Sequence, residues 1–132
     1  MLLPGQFRRL LRLGTRETAS CHTILVSEGA PIETVYHIVN NSAILTKMDE
    51  VFPLDAGSFV GEIGFLTGRP ASATVAVNSG TEYIAWKVAD LNRAFARAPG
   101  LRNALLAQLN NDLATKLARS VPMRFDMQTA DI

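Results

Sequence analysis

The run Val60-Gly61-Glu62-Ile63-Gly64-Phe65-Leu66-Thr67-Gly68-Arg69-Pro70-Ala71-Ser72-Ala73-Thr74-Val75 carries the residues whose types and spacing suit chemistry. It separates two extended apolar stretches. Glu62 to Thr67 reads as one short helical turn closed by Gly68, and Pro70 stops any continuation. Ala73-Thr74-Val75 returns to strand character. A strand, a tight helical turn and a second strand leave backbone N–H groups outward at the helix start, which is a seat for an anion. A carboxylate at that spot, Glu62, does not suit a bare phosphate, but it accepts a hydrogen bond from a sugar hydroxyl. A nucleotide with an exposed ribose 2′-OH satisfies both groups. Ser72 adds a hydroxyl for a phosphate oxygen, Ala73 and Thr74 add further amides, and Arg69 adds a cation two residues before Ala71.

Simpler roles compete with each of these. Glu62 in a purely structural role caps the short helix, and Arg69 is then a solvent-exposed loop residue. His22 falls in a turn and His37 on one face of a strand, with no second histidine at ligand spacing, so both read as structural. Cys21 has no activating neighbour and reads as a small buried or half-buried residue, and Trp86 reads as core. No paired carboxylates form a motif. The residues point to ligand binding, with no enzyme activity and no metal expected.

The rest of the chain supplies the positioning elements. Phe7, Leu10, Leu11 and Leu13 against Arg8, Arg9 and Arg12 predict an amphipathic helix over 6–13 that ends at Gly14. Its arginines read as the solvated face of a helix docked on a β domain. From Thr15 to Val88 the pattern is short strands: 16–19, 23–26, 35–39, 43–46, 51–54, 73–77 and 83–88. Turns fall at Ser20-Cys21-His22, Glu28-Gly29-Ala30-Pro31, Asn40-Asn41, Met48-Asp49-Glu50 and Asn78-Ser79-Gly80. That spacing predicts a mainly β fold of barrel or jelly-roll type. Asp90 or a neighbour caps a helix through Leu91 and Phe95, and Ala98-Pro99-Gly100 breaks it. Leu101, Leu105, Leu109, Leu113 and Leu117 recur every four residues, widened by Leu106 and Ala114, in a last helix that carries Lys116 and Arg119 near its end. Residues 120–132 read as a loose tail.

With 132 residues, one domain over 1–132 is expected. An apolar fraction of 48% and a charged fraction of 19% suit a soluble globular chain. A net charge of +1 demands neither nucleic acid nor an anionic membrane. The single cysteine makes a reducing, cytoplasmic setting the expectation. No apolar run is long enough for a membrane span, and the abrupt Met-Leu-Leu-Pro-Gly start is compatible with a piece of a longer protein.

Gly61-Glu62-Ile63, Gly68, Pro70 and Ala73-Thr74-Val75 resemble the phosphate-binding cassette, here residues 59–76, of the cyclic nucleotide-binding domain family. Its members include kinase regulatory subunits, the catabolite activator protein and cyclic-nucleotide-gated channels. Ile24-Leu25-Val26-Ser27-Glu28-Gly29-Ala30-Pro31, Val35-Tyr36-His37-Ile38-Val39 and Leu54-x-x-Gly57-Ser58-Phe59-Val60-Gly61-Glu62 are similar to other segments of that family in order and spacing. The likeness covers about residues 7 to 119. It implies a cyclic-nucleotide-binding β-roll, a double-stranded jelly-roll barrel over 15–88, with a short N-terminal helix and two C-terminal helices over 89–119.

The resemblance also implies a ligand site of Val60, Gly61, Glu62, Ile63, Gly64, Arg69, Pro70, Ala71, Ser72, Ala73 and Thr74. Glu62 would bind the ribose hydroxyl. The position of the family's phosphate-pairing arginine is Ala71, so Arg69 or the helix-start amides with Ser72 would take over. A hydroxyl at Ser72 sometimes contacts a guanine in the family, yet the expected ligand is cyclic AMP ahead of cyclic GMP. Popeye domains of membrane proteins also lack the usual arginine, and Tyr83-Ile84-Ala85-Trp86 followed by Leu91 is similar to them. The last helix, Leu101 to Leu117, would act as a lid, as a homodimer contact, or both. The implied function is a regulatory module that couples cyclic nucleotide occupancy to that helix. A degenerate fold without ligand, serving protein interaction or dimerisation, is the rival, possible also as part of a larger or membrane-attached protein. As a part of a transcription regulator the chain would not bind DNA alone, because no helix-turn-helix follows Arg119.

Overall fold

The computed structural model describes residues 4–107, with side chains from Arg8 onward. Its elements run α1 (Pro4–Leu13), β1 (Thr15–Thr18), β2 (Thr23–Val26), β3 (Thr34–Ile38), β4 (Ser42–Lys47), β5 (Glu50–Asp55), β6 (Phe59–Val60), α2 (Glu62–Thr67), β7 (Thr74–Val77), β8 (Glu82–Lys87) and α3 (Val88–Arg97). A further helix is described over 99–107. The strands form two antiparallel four-stranded sheets, ordered β1-β8-β3-β6 and β2-β7-β4-β5. Among the described residues no ladder joins them, so the expected barrel is realised as two facing sheets.

The period of two along each strand decides what lies between the layers. In β8, Tyr83 faces a core shared with Ile38, Ala43, Leu54, Val60, Val75 and Val77, which belongs to both sheets. Ile84 and Trp86 face the opposite way, into a second core with Leu10, Val35, Phe59, Leu91, Phe95, Leu101 and Leu105. β3 and β6 split likewise: Val35 and Phe59 go to the helical core, Ile38 and Val60 to the inter-sheet core. The first sheet is therefore the middle layer, covered by helices on one face and by the second sheet on the other. The second sheet leaves its outer face open, where Ile24 and Ile44 flank Ala76 in register. Its edge strand β5 carries Pro53, which has no N–H to offer a further strand.

Trp86 ties α1 to the sheet. Its indole N–H donates to the Leu10 carbonyl at 2.7 Å, and both residues are buried. Trp86→Phe keeps an aromatic ring but leaves that carbonyl without its donor. A loss of about 1–3 kcal/mol is expected, read as a lowered urea midpoint with an unchanged m-value. Tyr36 and Tyr83 meet edge to face in the inter-sheet layer, centroids 5.7 Å apart. Burial pushes both hydroxyls above the usual tyrosine range, with Glu17 adding to the shift.

The turns follow local chemistry. Asn41 takes a φ of 59° before β4, and Met48 and Asp49, at 50° and 68°, make the two-residue turn of the β4–β5 hairpin. Several boundaries differ from the expectations. Helix α1 begins at Pro4, not residue 6, because proline is well suited to a first turn. Asp90 is not a cap: Lys87 occupies the N-cap position without a side-chain bond, and Asp90 lies in the first turn, paired with Arg93. The break after α3 is Ala98 alone. Pro99 and Gly100 already belong to the next helix, again because a first-turn proline gives up no helical hydrogen bond. Cys21 is exposed, contrary to its expected burial, because its turn lies outside both cores. Trp86 is core as expected. Leu101 and Leu105 are buried. Leu109, Leu113, Leu117, Ala114, Lys116, Arg119 and the tail over 120–132 lie outside the described residues.

Candidate functional site

β6 delivers the chain to the site. Tyr36 and His37 pair with Val60 and Phe59, and His37 is half-buried with its ring 4.7 Å from that of Phe59. Val60 is buried between the sheets, so the chain must turn sharply at the next residue. Gly61 makes that turn with a φ of 88°, and a side chain there would stand 3.0 Å from the Thr34 carbonyl oxygen. Glycine is thus required twice over, by backbone conformation and by space. Glu62 follows as the first residue of α2, only 4% exposed. The helical ladder begins with Phe65 N–H donating to the Gly61 carbonyl at 3.0 Å, so the amides of residues 62–64 lie ahead of it. Gly68, at a φ of 71°, ends the helix as its spacing predicts.

The second half of the segment is fastened from outside. Gly29 N–H donates to the Ala71 carbonyl and Ala71 N–H to the Ala30 carbonyl, both at 2.8 Å. Glu28 N–H donates to Thr74 Oγ1 at 2.9 Å. Sequence reasoning took Glu28-Gly29-Ala30-Pro31 for a chain reversal alone and missed this clamp. Its signal was present in the same four residues, but the partners lie more than forty residues away. Ile32, also missed, fills the space beneath the helix. A Cβ on Gly64 would collide with Ile32 Cγ1 and lie 2.8 Å from the Arg69 carbonyl oxygen. In an open helix Gly→Ala stabilises by about 1 kcal/mol. Here Gly64→Ala is expected to destabilise by about 1–3 kcal/mol through overpacking, measured as a lowered denaturation midpoint.

The structure gathers some expected site residues and separates others. Glu62 and the first-turn amides meet at the head of α2. Ala71 and Ala73 are buried, and the Ala71 amide is engaged by the clamp. Thr74 is half-buried, and its hydroxyl already accepts a bond. Arg69, Pro70 and Ser72 are exposed, as is Ile63. Arg69 N–H donates to Thr67 Oγ1 at 3.3 Å, and the Arg69 guanidinium pairs with no carboxylate among the described residues. The site therefore combines a buried carboxylate, a short helix start and one uncommitted arginine nearby in sequence. That set suits a sugar hydroxyl beside an anion. No group of three metal-ligating side chains occurs among the described residues.

No protein-family model matches the sequence, and no curated protein sequence matches it. Solved structures do. A cyclic nucleotide-binding domain from Methylobacillus flagellatus superposes with a TM-score of 0.80 over 93% of this chain and 72% of its own, at 21% identity. The chain has the cyclic nucleotide-binding domain fold. The Thermus thermophilus catabolite activator protein shares that fold with a TM-score of 0.71 over 97% of this chain, at 19% identity. Cyclic-AMP-bound PfPKA-R does so with a TM-score of 0.65 over 89%, at 17% identity. The chain spans 61% of the activator protein and 41% of PfPKA-R. Residues 61–73, with α2, connect β6 to β7. No helix among the described residues is long and apolar enough to cross a membrane.

Proposed function

We propose that the chain is a cyclic nucleotide-sensing module, one domain over 1–132, that binds cyclic AMP in preference to cyclic GMP. The observation that carries this reading is Glu62: a carboxylate 4% exposed at the first position of a short helix, in a cassette-like loop of this fold. A carboxylate oxygen accepts a hydrogen bond from a ribose 2′-OH. The ligand would lie against Val60 to Gly64 and Arg69 to Thr74. The cyclic phosphate would face the α2 amides, Ser72 and Arg69, since Ala71 carries no charge. Occupancy would order the cassette and shift the packing of the helix that starts at residue 99, and the sequence stripe Leu109, Leu113 and Leu117 would supply a homodimer contact. The test is calorimetric titration of the full chain with cyclic AMP and cyclic GMP. Saturable binding of cyclic AMP, tighter than cyclic GMP, is expected, and heat of dilution alone for both nucleotides refutes the reading.

A second reading is a ligand-free scaffold that serves protein interaction. It is favoured by Ala71, whose backbone is engaged on both sides by the 29–30 turn and whose side chain offers no partner to a phosphate. The same titration separates the two.

A further inference from the structure

Charge is segregated between the layers. From Thr15 to Lys87 there are eight carboxylates and four cationic side chains. The helical segments, 4–14 and 88–107, carry six arginines and one aspartate, Asp90, which pairs with Arg93. Three of the other arginines border one groove. Arg9 and Arg12 from α1 and Arg97 from α3 line a groove of about 340 Å³, together with Leu13, Ala94 and Ala98, and with Leu101 at its base. All three arginines are exposed, none pairs with a carboxylate among the described residues, and no carboxylate lines the groove.

We infer that this groove binds a small amphiphilic anion, a phosphate- or carboxylate-bearing molecule with an apolar tail or ring. The three arginines line the groove through their apolar stems, and their exposed guanidiniums suit bidentate contact with phosphate or carboxylate oxygens. The apolar floor takes the rest of the ligand, and the volume lies in the range of small-molecule sites. A membrane surface fits less well. A helix that lies on lipid must offer its apolar face, and here Leu10 is fully buried in the helical core. The groove is separate from the cassette, since it shares no residue with the stretch from Phe59 to Ala76.

The test titrates the full chain with octyl phosphate below its micelle concentration, with octyl glucoside and inorganic phosphate as separate arms. Saturable binding of octyl phosphate is expected, at least tenfold tighter than either control. Arg97→Glu reverses one charge, and Ala94→Leu fills the floor; each is expected to weaken octyl phosphate at least tenfold. Lys47→Glu, exposed on β4, is expected to leave it unchanged. Equal binding of octyl glucoside or of inorganic phosphate overturns the inference, because charge and floor would not then act together. Unchanged octyl phosphate binding in both groove variants, with folding verified by circular dichroism, also overturns it.

Discussion

Ala71→Arg is expected to raise cyclic AMP affinity by about two to three and a half decades. In the resembled family an arginine at this position pairs with the cyclic phosphate, and Ala71 supplies nothing there. The backbone of residue 71 is fixed by its two bonds to Gly29 and Ala30, so substitution should not move it. The side chain of residue 71 is 9% exposed, so the new stem would run along apolar neighbours while its head reaches the anion. Breaking a desolvated Arg–anion pair costs roughly 3–5 kcal/mol, and its gain on restoring the partner is taken as similar, at 1.4 kcal/mol per decade. Calorimetry on the variant and the unaltered chain checks this. An unchanged affinity in a folded variant would mean that no phosphate lies near residue 71.

Glu62→Ala is expected to weaken cyclic AMP by about ten- to 150-fold. A hydrogen bond to a charged group is worth about 1.5–3 kcal/mol, and the low exposure of Glu62 keeps water from replacing it. The melting temperature shows whether the variant is folded, and Glu62→Gln, which keeps the side chain's size and an acceptor oxygen, serves as the milder comparison. Unaltered affinity in a folded Glu62→Ala variant would leave the carboxylate a purely structural role, although Gly61 and not Glu62 is the N-cap of α2.

Much of this architecture is legible along the chain because it is written locally. The strand period between Tyr83 and Trp86 separates two cores, Asn41 adopts the left-handed turn its type favours, and Gly61 and Gly68 bracket α2 as their spacing predicts. What escaped is either too short or too distant. β6 has two residues, below the length at which alternation carries a signal. The clamp of Glu28, Gly29 and Ala30 on Ala71 and Thr74 joins segments more than forty positions apart. The groove brings Arg97 to Arg9 and Arg12 across the whole β region, so the arginines of α1 looked like a solvated face. Pro99 illustrates a different difficulty: the residue type that ends one helix also starts the next, and only backbone geometry tells them apart.

The central claim is that a ribose hydroxyl is held by Glu62. Paired titrations of the unaltered chain with cyclic AMP and 2′-deoxy cyclic AMP test it most directly, since the two ligands differ at that hydroxyl alone. The account predicts that the deoxy analogue binds about ten- to 150-fold more weakly. Equal affinity for the two nucleotides would contradict it.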